Sequence, residues 1–260
     1  MLSVDPAAPR SQTSAAYARL REDILAGCLQ PGERLKIAEI ACALEVSPGA
    51  IREALSRLVP EQLVVFRDQK GFVVAPLSVE DLEDLTDLRC EVEAIALRRS
   101  VLRGDVSWEG SVLAAAHRLR RTKILTSADR SLNRDWVERH RTFHTALVSA
   151  CGSPRLLALH AQLYEQSERY RSLSFPTVGE RERDRQGEHQ ALADAALDRN
   201  ADGLVELTVK HFRETTERIV KAADGGSMGE ATLAGILQGK VAEQAPSSIL
   251  PGGRAPPKPA

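Results

Sequence analysis

The sequence predicts a mainly α-helical chain, with an N-terminal winged helix-turn-helix (residues 14–76) and a C-terminal all-α, six-helix antiparallel bundle (residues 78–223). Three observations carry this. Between Pro31 and Val74, two short helical patterns flank a tight break, and two short apolar runs flank a polar turn. From Val79 onward, apolar residues recur at helical spacing in long pieces joined by short loops. Leu and Ala are abundant while aromatics make up only 4%, a balance that favours helices over sheets.

The elements follow in order. Residues 1–13 are polar and contain proline, and are expected to be loose. Ser14–Ala26 places Tyr17, Leu20, Ile24 and Leu25 at helical spacing, and Gly27 is a helix stop. After the turn Pro31-Gly32-Glu33, a short helix spans Ile37–Leu44, a break spans Glu45–Gly49, and a second helix spans Ala50–Leu58. The runs Leu63–Phe66 and Phe72–Val74, separated by Arg67–Gly71, read as a hairpin. A short helix, a brief turn and a second helix set that second helix in a DNA major groove. The tip of the following hairpin is placed to meet phosphate or the minor groove.

Ala75–Ser78 is a short linker, with Ser78 as N-cap and Glu80 and Asp81 in the first turn of the next helix. That helix, Val79–Leu102, carries a stripe of Leu82, Leu85, Leu88, Val92, Ile95 and Ala96. Helices are expected next over Trp108–Leu125, over Asn133–Ala150, and from Pro154 to about Leu173, where Ser174-Phe175-Pro176 breaks the pattern. Two more, Gly179–Arg199 and Ala201–Ala223, complete six helices with short loops, which make a bundle. Residues 224–260 are rich in Gly, Ser, Pro and Ala and read as a disordered tail.

Composition narrows the function classes. The 260 residues suffice for two domains, and 43% apolar content suffices for packed cores. The formal net charge is −1, so any DNA contact is local and geometric rather than a bulk-charge effect. No run of about 18 apolar residues exists and Met1–Ser14 lacks an apolar signal core, so the expected site of action is the cytoplasm, away from membranes. Cys28, Cys42, Cys90 and Cys151 are widely spaced without CxxC pairing, and read as buried free thiols.

Four of the six histidines form a pattern. His140 and His144 are four apart and share a helix face. His189 lies on the next-to-last helix, and His211 on the last, where a hairpin would set a facing partner. An imidazole pair joined by single imidazoles from two facing helices suits a transition metal in a helical core. Imidazole suits Zn, Ni, Cu or Fe, with Zn or Ni expected here. The competing reading of such a pair is surface chemistry, and His117 and His160 are read as ordinary helix residues.

With these residues named, a resemblance emerges. Pro31-Gly32-Glu33-Arg34-Leu35, followed by Val46-Ser47-Pro48-Gly49-Ala50-Ile51-Arg52-Glu53-Ala54-Leu55, resembles the winged-helix signature of GntR-type bacterial transcription regulators, roughly PGxRL then VSRTPVREAL. The second domain is similar to the FCD effector domain of the FadR subgroup, over about residues 14–222 in all. That domain's Arg and Glu on the first helix match Arg89 and Glu93, its D-x-x-F-H motif matches His140–His144, and its two later histidines match His189 and His211.

The resemblance implies a homodimer on a pseudo-palindromic double-stranded operator, a divalent metal at the histidines, and a small carboxylic acid effector steadied by Arg89, with Arg171 a second candidate. It also implies DNA contacts from Arg52, from backbone N–H groups at Ser47 and Gly49, from Arg57, and from Lys70 and Gly71 at the wing tip. The chain departs from the family at three positions. His140 stands where an acid is usual, leaving the site one unit more positive or, alternatively, leaving three histidines and water. Pro48 and Ala38 stand where arginines that touch DNA are common.

The sequence therefore points to a transcription regulator whose operator affinity is set by a carboxylate at a His-ligated metal. A metal sensor, in which the ion itself is the signal, is one alternative. A metal-dependent hydrolase is another, but it lacks a general base: there is no HExxH, and only Glu138 and Glu188 lie near the ligands, with Glu188 expected on another helix face.

Overall fold

A computed structural model of the chain describes residues 11–126, 132–178 and 184–224. The tail 225–260 and residues 1–10 lie outside the described residues. The chain divides into two compact units that part between Pro76 and Leu77.

The first unit holds α1 (Gln12–Leu25), α2 (Ile37–Ala43), α3 (Pro48–Leu58), β1 (Val64–Arg67) and β2 (Gly71–Val74). Helix α1 starts earlier than periodicity alone suggests, because the Ser11 hydroxyl caps it by accepting from the Ser14 N–H at 3.2 Å. Similarly α3 starts at Pro48: the Ser47 hydroxyl accepts from the Ala50 N–H at 3.2 Å, and proline is pre-shaped for the first helical position. Between α2 and α3 the chain reverses at Glu45, which takes a φ of 54°. The strands pair antiparallel, Val64 with Val74 through Arg67 with Gly71. Arg34 bridges to Val73 as a third short edge. The wing turns at Gln69 and at Gly71, whose φ of 74° favours glycine. Leu20, Ile24, Ile40, Ile51, Leu55, Leu58, Val64 and Val74 form an all-apolar core.

The second unit is a bundle of α4 (Val79–Arg103), α5 (Val106–Arg121), α6 (Arg134–Val148), α7 (Pro154–Val178), α8 (Arg185–Leu197) and α9 (Ala201–Asp224). Side chains close the helix starts: Ser78 caps α4, Asp105 caps α5, Asn133 caps α6 and Asp184 caps α8. These caps move several boundaries. Asp105 starts α5 two residues before Trp108, and α5 stops at Arg121 because Leu125 turns extended to bridge Leu132. Helix α7 runs through 174–176, where a break was expected; a proline in the final turn forfeits one intrahelical bond and leaves the earlier turns intact. The expected start of α8 at Gly179 falls on residues 179–183, outside those described.

The core gathers Leu97, Trp108, Val112, Trp136, Phe143, Leu147, Leu192 and Leu204. A second cluster joins Leu77, Leu82 and Leu85 to Leu163, Tyr170 and Ile219. Tyr170 ties α7 to the start of α4, donating to Asp81 and accepting from the Ser78 N–H at 3.3 Å. The stripe expected on α4 needs correcting. Leu88 and Ile95 are 44% and 49% exposed, while Arg89 and Glu93 are buried in their place. Thiol burial also differs: Cys90 and Cys151 are buried, but Cys28 and Cys42 are exposed. No helix among the described residues is long and apolar enough to cross a membrane.

Candidate functional site

In the bundle, α6, α8 and α9 bring His140, His144, His189 and His211 together. All four are buried, and one ligand atom from each lies within 4.8 Å of the others. The Nε2 atoms of His140 and His144 are 3.2 Å apart. Two nitrogens each about 2.1 Å from a common ion stand about 3.0–3.4 Å apart at tetrahedral or octahedral angles, so this pair is spaced for shared ligation.

The outer nitrogens are held from behind. His140 Nδ1 lies 2.8 Å from the Tyr164 hydroxyl. His211 Nδ1 lies 2.7 Å from Glu188 Oε2. An ionised carboxylate only accepts, so it puts the His211 proton on Nδ1 and leaves the Nε2 lone pair facing inward. The expectation that Glu188 points elsewhere is corrected: its long side chain reaches from α8 across to α9. Trp136 stacks on His140 with ring centroids 4.7 Å apart. Burial first, and neighbouring cationic groups second, hold His140 and His144 well below the usual imidazole range, so both rings are neutral and ready to donate lone pairs.

A cavity of about 60 Å³ opens beside the cluster, lined by Arg89, His140, Tyr164, Arg171, His189 and His211 among others. That is room for roughly four or five waters, or for a small carboxylate. Arg89 is buried, and its guanidinium lies 3.7 Å over the Phe212 ring. Its Nε stands 3.8 Å from Glu93, yet among the described residues its Nε and Nη2 have no hydrogen-bond partner. Burial lowers its pKa. Glu93 is instead engaged by His160, whose Nδ1 is 2.8 Å from Oε1. His160, read from the sequence as an ordinary helix residue, is a buried partner that takes the close contact to Glu93 and leaves Arg89 the longer one. Arg171, the second effector candidate, already forks onto Glu168, with Nε donating to Oε2 at 2.9 Å. Arg89 is thus the better-placed cation.

In the winged unit, α3 exposes Gly49, Arg52, Glu53, Ser56 and Arg57. Arg52 is exposed on this face with no side-chain partner among the described residues, while Glu53 is tied to Thr13 at 3.2 Å. Arg57 lies 4.3 Å over the Tyr17 ring, which braces it against α1. Ser47 spends its hydroxyl on capping, and its N–H leans on Gln12 at 3.4 Å. The Gly49 N–H is left as the open donor of that first turn. Lys70 is exposed at the wing tip beside half-buried Gly71. The exposed Arg34, Phe66 and Arg67 line the same hairpin region and were missed in the sequence.

Residues 12–74 match the family model for bacterial regulatory proteins of the gntR family, and residues 84–214 match that of the FCD domain. The chain is 42% identical over 207 residues to the helix-turn-helix-type transcriptional regulator BphR of Paraburkholderia xenovorans, covering 79% of this chain and 84% of that protein. This chain belongs to the GntR family. It is a DNA-binding transcription regulator with an FCD domain, not an enzyme. A second GntR relative, the transcriptional repressor GlaR of Escherichia coli, is 35% identical over 212 residues, covering 80% of this chain and 96% of GlaR. Escherichia coli McbR/YncC shares the fold, with a TM-score of 0.67 at 19% identity over 81% of this chain and 98% of that one.

Several site residues went unseen in the GntR sequence pattern. On α7, His160, Tyr164 and Glu168 fall at i, i+4 and i+8, with Arg171 one turn on. Helix α7 carries many other polar residues, such as Gln162, Glu165 and Arg169, so this spacing does not single out a lined interior in the sequence. Glu188 carries no signal either, since its target sits on another helix.

Proposed function

We propose that this regulator binds one divalent transition ion, zinc or nickel, at His140, His144, His189 and His211, and that a small carboxylate bound beside it controls operator affinity. The observation that carries this is the buried four-imidazole cluster beside a cavity in which, among the described residues, Arg89 Nε and Nη2 have no hydrogen-bond partner. Burying a cation without hydrogen bonds is costly, and an entering anion would remove that cost. When bound, the ion supplies a Lewis-acidic positive centre that attracts an anion. Tyr164 and Glu188 orient the imidazoles, Glu93 is kept occupied by His160, and Arg89 offers its free N–H groups to the second end of the ligand. All four ligands are neutral, so the loaded site keeps the full charge of the ion.

The DNA-bound form in this reading is a cytoplasmic homodimer of the FadR subgroup on a pseudo-palindromic site, because one recognition helix gives few base contacts. Arg52, the Gly49 N–H and Lys70 contact DNA. The relative GlaR is named a repressor, which favours repression. Control requires that the carboxylate bind the DNA-competent and DNA-incompetent forms unequally.

Elemental analysis of the purified protein after exhaustive dialysis tests the metal. One ion per chain, lost in His189→Ala, is the expected result; a metal-free wild type that gains none from added zinc or nickel would sink the reading. A metal sensor would respond to the ion alone and ignore every small carboxylate.

A further inference from the structure

Helix α4 leaves three large apolar side chains in solvent: Leu88, Ile95 and Leu102, at 44%, 49% and 82% exposure. They recur every seven residues, close to two full turns, and so fall along one line. Glu91 and Arg99, both exposed, flank Ile95 at four residues on either side. At 3.6 residues per turn all five lie within about 40° of the direction of Ile95. A solvated face has no reason to carry apolar residues at this period.

The stripe is palindromic about Ile95, and its charge inverts across that centre. Asp84, Asp87 and Glu91 precede Ile95, whereas Arg98 and Arg99 follow it. Asp87 and Arg98 reach sideways to Arg213 and Asp202 on α9. Glu91 and Arg99 have no ion-pair partner among the described residues.

We propose that this stripe is the docking surface for a second copy of the chain, with the two α4 helices antiparallel across a two-fold axis at Ile95. A two-fold interface must be complementary to itself. Antiparallel pairing sets Ile95 on Ile95, Leu88 on Leu102 and Glu91 on Arg99. Parallel pairing would set Glu91 on Glu91 and Arg99 on Arg99, which repel. The inference rests on the dimeric reading above and adds its surface and register.

The test is sedimentation of the full-length protein. Wild type should run at twice 28.4 kDa. Glu91→Arg and Arg99→Glu should each weaken the dimer at least tenfold, and the double variant should recover to within a few-fold of wild type. An Ile95→Cys variant, in a background of Cys28→Ser and Cys42→Ser, should cross-link to a dimer under mild oxidation. Single variants that stay fully dimeric, a double variant that does not recover, or Cys at 95 that fails to cross-link would each overturn the surface while leaving the dimer standing. A wild type that is monomeric both free and on operator DNA would overturn both.

Discussion

The winged unit and the bundle bury their side chains in opposite ways. Among the described residues, every buried polar or charged side chain lies in the bundle, twelve between Thr86 and His211, and the winged core has none. The winged unit keeps the groups proposed to meet DNA, Arg52 and Lys70, in water, where they cost folding little and need no partner in the free protein. The bundle holds five imidazoles, Arg89, Glu93 and Glu168 inside, where each must be satisfied or destabilise the fold. A recognition surface needs only a scaffold, whereas a polar interior of this size implies a ligand that completes it.

If that contrast is right, the largest effect belongs to the ligands. His144→Ala should weaken zinc binding by more than about 100-fold, because the loss of an ion ligand exceeds the 10- to 100-fold typical of its supporting groups. Competition with a chromophoric chelator measures it, and an unchanged affinity would remove His144 from the site. Arg52→Ala should cost about 1–3 kcal/mol at each operator half-site without lowering the melting temperature, since its side chain is in solvent. Fluorescence anisotropy at two salt concentrations tells a lost base contact, which leaves the salt slope intact, from a lost phosphate contact. Glu188→Gln should weaken zinc about 10- to 100-fold and leave the apoprotein folded; equal affinity would mean that its bond to His211 does not orient the ring.

The apoprotein should also respond to pH where the winged unit does not. His140 and His144 are held well below 6.5 in the folded chain. Above that pH neither the folded nor the unfolded state carries their protons. Below it the unfolded chain takes up protons that the buried cluster refuses, so stability falls as pH drops. Thermal unfolding of metal-free protein should give a lower midpoint at about pH 5.5 than at about pH 7.5. A flat profile in the wild type, or a slope that persists unchanged in His140→Asn/His144→Asn, would contradict the burial of neutral imidazoles. The smallest effect is that of Arg57→Ala, about 0.5–1 kcal/mol of stability from its stack on Tyr17, with operator affinity unchanged. A loss of affinity as steep as for Arg52→Ala would make Arg57 a DNA contact.

The same contrast explains what was legible in the sequence. The helix-turn-helix is built from local patterns, two short helical runs around a break and a glycine at the wing turn, so residues close in sequence disclose it, although the cap at Ser47 and the helix start at Pro48 read in the sequence as part of the break. The i, i+4 pair of His140 and His144 is equally local. The reach of Glu188 to His211, the grip of His160 on Glu93 and the exposure of Leu88 and Ile95 depend on which helices meet. Periodicity gives α4 an apolar stripe but does not say that its other side buries Arg89 and Glu93. Departures at Pro48 and Ala38 likewise concentrate the proposed DNA contact on Arg52 and the wing.

The central claim is that the bundle interior governs the winged surface, and operator affinity measured with and without ligand tests it most directly. A selected operator fragment is titrated by anisotropy with zinc- or nickel-loaded protein, across a panel of two- to six-carbon carboxylates. The account expects at least one to shift affinity tenfold or more in wild type, with the shift absent in His144→Ala and reduced in Arg89→Gln. Affinity that stays constant across the whole panel in metal-loaded wild type would contradict it.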